Sequence, residues 1–70
     1  MAKRLIGCVG IGVMGSALME AVIKVTGADQ VVVRDEDSLK TDAFCQKTGC
    51  HSAASNKDLA SSVEFLFLAV

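Results

Sequence analysis

Seventy residues with a formal net charge of −1 set narrow limits. The length allows one small domain, and an apolar share of 51% marks it as globular rather than disordered. The charge balance carries no basic footprint for nucleic acid, and no apolar run approaches the roughly 20 residues of a membrane span, so neither partner is expected.

Lys3 and Arg4 precede an apolar stretch, and Leu5-Ile6-Gly7-Cys8 superficially resembles a lipoprotein cleavage box. Too few apolar residues separate the charges from Gly7 to build the roughly 7–15-residue core of a signal peptide. Leu5–Val9 is therefore read as a first strand and the protein as cytoplasmic. Its unbroken apolar run suits a buried parallel strand.

Gly10-Ile11-Gly12-Val13-Met14-Gly15 follows at once and opens a helical pattern. A glycine turn between strand and helix is the order a dinucleotide requires. The first glycine permits the tight turn, the second lets the backbone approach a pyrophosphate, and the third lets helix pack on strand. The helix then offers unpaired N–H groups and its positive dipole end to the phosphates.

Val13–Thr26 is the first helix, with Met14, Ala17, Leu18, Ala21, Val22 and Val25 spaced as one apolar face and Gly27 as its terminator. Gln30–Arg34 carries three consecutive valines and is a second strand. Arg34-Asp35-Glu36 comes next. A carboxylate after the second strand accepts ribose hydroxyls and favours NAD(H), whereas an arginine pairs with a 2′-phosphate and favours NADP(H). Asp35 stands near the spacing expected from the glycine turn, and Arg34 directly precedes it.

A second helix is expected from about Ser38 to Thr48, capped by Asp37 or Ser38 and ended by Gly49, with Leu39, Ala43 and Phe44 toward the sheet. Cys50–Ala54 is a weak third strand. Ser55-Asn56-Lys57-Asp58 is a capping-box variant that starts a short third helix through about Ser61. Phe65–Val70 is a strong fourth strand. The three cysteines, Cys8, Cys45 and Cys50, form no CxxC pair, and Cys45, Cys50 and His51 match no zinc spacing, so no metal site is expected. Cys8 reads as a small buried apolar residue and His51 as a half-exposed residue at a strand start.

The order β-α-β-α-β-α-β implies an α/β fold, a Rossmann-like half-domain with a parallel sheet of about four strands in order 3-2-1-4. Right-handed crossovers put the first two helices on one face and the short third helix on the other. The apolar fourth strand then forms an unprotected edge over a thinly covered sheet. Two expectations follow: the chain is the N-terminal piece of a longer protein, or it self-associates through that edge.

With these residues in place, the chain resembles the N-terminal segment of pyrroline-5-carboxylate reductases, over essentially its whole length. Gly10 to Leu18 is similar to that family's glycine turn and helix start, Ser55-Asn56-Lys57-Asp58-Leu59 to its Asn-Lys-Glu helix start, and Phe65 to Val70 to its fourth strand. The resemblance implies reduction of a cyclic imine to proline with NADP(H), NAD(H) being the alternative. It also implies that Gly10 to Met14 cradle the pyrophosphate, that Asn56 meets the adenosine ribose or its 2′-phosphate, and that Ala69 and Val70 lie near the nicotinamide. Val13 departs from the family, where a polar residue, often Asn, is common. No residue reads as a catalytic acid or base. The substrate and dimerisation parts of such enzymes are not expected within residues 1–70, so the segment alone should be inactive. Another dehydrogenase of the β-hydroxyacid type, or a non-catalytic nucleotide-binding module, shares the glycine turn.

Overall fold

The computed structural model describes residues 3–69. Strand β1 (Arg4–Val9) leads through the glycine turn into helix α1 (Val13–Thr26). A 3-10 turn (Ala28–Gln30) precedes β2 (Val31–Arg34), so Gln30 belongs to the turn rather than to the strand. Helix α2 (Ser38–Thr48), β3 (His51–Ser52), α3 (Asn56–Ser62) and β4 (Val63–Leu68) complete the order. The four strands form one sheet in the order β3-β2-β1-β4, and every pairing is parallel. The topology is that of a Rossmann-like half-domain.

The central strand β1 sets the register. Ile6 stands between Val31 of β2 and Phe65 of β4, and Cys8 between Val33 and Phe67. Two apolar cores lie on opposite faces. Cys8, Val31 and Val33 pack under Met19 of α1 and Phe44 of α2, while Val32 packs with Leu59 of α3 and with Val63. Gly7 faces this second core, where a methyl group in its place would collide with Leu59. None of the helices among the described residues is long and apolar enough to cross a membrane.

Helix ends follow local chemistry. The Asp37 carboxylate accepts the Leu39 N–H and caps α2, and the Ser55 hydroxyl accepts the Asp58 N–H and caps α3. Gly49 ends α2 at φ 80°, a left-handed conformation that glycine adopts without a Cβ penalty. Strand β3 keeps only two residues of the expected Cys50–Ala54, and β4 begins two residues before Phe65.

Two helix faces differ from expectation. On α1 the side toward the sheet is Gly15 and Met19, with Val22 and Ile23 beside them. Met14 and Val25 are 82% and 86% exposed, and Ala17 and Ala21 are also outside. The helix is apolar nearly all round, so spacing alone does not choose its face; close packing of Gly15 against the Gly10 carbonyl does. On α2, Phe44 and Thr41 face the sheet, but Leu39 is 76% exposed and Ala43 is outside. Leu39 lies about 140° around the helix from Phe44 at 3.6 residues per turn.

Candidate functional site

The glycine turn sits at the C-terminal end of β1, between the ends of β2 and β4. Gly10 adopts φ 95°, which lets the chain leave the strand sharply, and its N–H donates to the Arg34 carbonyl at 2.8 Å. The Cys8 thiol donates to the Gly10 carbonyl at 3.4 Å, and the same oxygen would collide with any side chain at Gly15. Helix α1 therefore touches the strand backbone to backbone. Gly12 is different: a methyl group there would meet nothing within 4 Å. The space above Gly12 is open, and Gly12 occupies the N-cap of α1 without any side-chain cap. The first turn of α1 holds no acidic residue. Its N–H groups and dipole face that space, which is the chemistry a pyrophosphate requires. The side chains of Val13 and Met14 are exposed beside it.

Asp35 braces this turn. One carboxylate oxygen accepts the Ile11 N–H at 2.7 Å and the other accepts the Asp37 N–H at 2.9 Å. Its own N–H donates to the Thr41 hydroxyl at 3.0 Å, which explains why Thr41 is buried. The two backbone donors, that of Asp37 first and that of Ile11 second, hold the carboxyl below the usual aspartate value. The Ile11 N–H thus faces Asp35, and the Ile11 side chain lies in the core.

Arg34 points the other way. Its guanidinium donates to the Asn56 side-chain oxygen at 3.0 Å, bridging the end of β2 to the start of α3. Val9, Gly10, Arg34, Asp35, Glu36 and Asn56 line a cleft of about 210 Å³ on this flank of the turn. On the opposite flank a cavity of about 470 Å³ is bounded by Gly12 to Gly15 and by Phe67, Leu68 and Ala69. The Ala69 N–H donates to the Val9 carbonyl at 2.9 Å and carries the ladder one step past β4. Val70 lies outside the described residues.

The structure therefore gathers Gly10, Gly12, Val13, Met14, Gly15, Arg34, Asp35, Asn56 and Ala69 around one turn. Glu36, singled out with Arg34 and Asp35 in the sequence, lines the same cleft, and Thr41 joins them without having stood out there. A threonine on the inner face of an otherwise polar helix, six residues after Asp35, was the available sign of it. Among the described residues no group of three or more His, Cys, Asp or Glu side chains is placed to hold a metal ion.

Among known protein families, the one described as NADP oxidoreductase, coenzyme F420-dependent, has a model that matches residues 5–70. No curated protein matches the chain.

Proposed function

Since the chain belongs to this NADP oxidoreductase family, we propose that it is the coenzyme-binding segment of an NADP(H)-dependent reductase of the pyrroline-5-carboxylate reductase type. The observation that carries the coenzyme reading is the pair of recesses on either side of one uncapped helix start. A dinucleotide laid over Gly12 has an arginine and an amide on one flank and an apolar wall on the other. When bound, the reduced coenzyme supplies the hydride that such a reduction needs. Gly12 to Met14 hold the pyrophosphate through main-chain N–H groups. Arg34 and Asn56 receive the ribose end, and Ala69 borders the nicotinamide end.

The preference for the phosphorylated coenzyme rests on the division of labour at the end of β2. Both carboxylate oxygens of Asp35 are already used by main-chain donors, while Arg34 stands in the cleft with a planar fork suited to phosphate. The purified chain, titrated calorimetrically with NADPH and NADH at fixed salt, should bind NADPH at least about tenfold more tightly, a difference of about 1.4 kcal/mol. Arg34→Ala should bring NADPH down to the NADH level. Equal affinities in the unaltered chain would remove the phosphate role from Arg34.

The link to proline formation rests on the resemblance of the glycine turn, the Asn56 segment and the fourth strand. On this reading the seventy residues bind coenzyme without turning over. Sustained oxidation of NADPH by the purified chain on addition of 1-pyrroline-5-carboxylate would contradict it.

A further inference from the structure

Away from the coenzyme site, at the opposite end of α2, two cysteines meet. Cys45 lies on the last turn of the helix and is half-buried, and Cys50 lies just past Gly49 and is buried. Their sulfurs are 3.7 Å apart. The chain between them is tightly tied. The Gly49 N–H donates to the Cys45 carbonyl at 2.7 Å, the Thr48 hydroxyl donates to the Phe44 carbonyl at 2.8 Å, and the Cys50 N–H donates to that hydroxyl at 3.3 Å. These bonds fix the left-handed turn at Gly49 and hold the two side chains facing each other. The third cysteine is engaged elsewhere: Cys8 is fully buried on β1, with its thiol on the Gly10 carbonyl.

We propose that Cys45 and Cys50 form a dithiol site that is reversibly oxidised to an intramolecular disulfide by a low-molecular-weight disulfide. Cys45, the more accessible of the two, loses its proton and attacks one sulfur of the oxidant. The oxidant's S–S bond breaks, and one thiolate leaves and takes up a proton. Cys50, deprotonated in turn, attacks the Cys45 sulfur of the mixed disulfide and expels the second thiol. Two cysteine thiols are oxidised and one small disulfide is reduced to two thiols, so electrons and protons balance. The Gly49 turn holds the two sulfurs 3.7 Å apart, so the resolving thiol already stands beside the sulfur it attacks.

Burial, followed by the neighbouring Cys50, pushes the Cys45 thiol up to about 12, so the first attack is slow at neutral pH. The test therefore reads end points after long incubation. The full chain is held with glutathione disulfide, quenched in acid and weighed by mass spectrometry, with peptide mapping. The expected product has lost two hydrogens, carries no glutathione, and maps to a Cys45–Cys50 link that dithiothreitol reverses. Cys50→Ser should instead accumulate glutathione on Cys45, because the resolving thiol is gone. A stable glutathione adduct on the unaltered chain, a link involving Cys8, or an unchanged mass would each overturn the proposal. The product formed by the unaltered chain decides the matter even where the variant fails to fold.

Discussion

Asp35 ties three pieces of chain through two oxygens and one N–H, and removing it should be felt beyond its own position. Asp35→Ala leaves the Ile11 and Asp37 N–H groups without their acceptor and should cost about 1.5–3 kcal/mol, read from urea unfolding. The same bonds give a pH dependence of known sign. The carboxyl is held below its ordinary value in the folded chain, so its contribution is complete above that ordinary value. It is lost as pH falls through the lower, folded value. Acid titration of stability should therefore show a drop in the unaltered chain that is smaller in Asp35→Asn. Gly12 and Gly15 make a contrasting pair. Gly12→Ala has room and an ordinary φ of −78°, so it should cost at most about 1 kcal/mol in stability yet abolish NADPH binding. Gly15→Ala drives a methyl into the Gly10 carbonyl and should lower stability by about 1–3 kcal/mol before any coenzyme is added. The packing role of Gly15 was legible in its spacing. The Asp35 brace was not, because a carboxylate after the second strand reads equally well as a ribose acceptor or as a clamp on the chain itself.

At the level of elements, α3 is the most dependent on one side chain. Leu59 is its only buried residue and is fully buried, filling the space that Gly7 leaves open and touching Val32 and Val63. Leu59→Ala should cost about 2–5 kcal/mol, and circular dichroism should show loss of helix if α3 detaches. Element order and most ends were written in the sequence by strong punctuation: Gly27, Asp37, Gly49 and Ser55 all stand at helix termini. Helix rotation was not. On α1 the apolar residues outnumber what one face can bury, so the spacing of Met14, Leu18 and Val25 described a real stripe on the outer side. On α2 the polar Thr41 faces inward because Asp35 supplies its partner, which a hydrophobic pattern does not register. The third strand shortened for a related reason: His51 and Ser52 pair with β2, and Ala53 donates only a single further bond, to Val33.

At the scale of the whole molecule the sheet is asymmetric. Strand β3 is short and hydrophilic, whereas β4 presents Phe65, Leu66, Phe67 and Leu68 on the other edge, with Phe65 63% exposed. Phe65 also borders an apolar groove with Leu5, Ile6, Ala21, Val22 and Val25, so the edge and the outer stripe of α1 are continuous. Unpaired edges of this kind promote association. Phe65→Lys should raise the concentration at which the chain begins to self-associate in sedimentation experiments, while changing unfolding stability by no more than about 0.5 kcal/mol. The position of β4 has one more effect, on the order of events during synthesis. Strand β1 is made well before β4, yet one of its two flanks is filled only by β4, where Ile6 meets Phe65. That edge waits on the ribosome while α1, β2, α2, β3 and α3 are made, and closing it is a long-range step of the kind that slows folding.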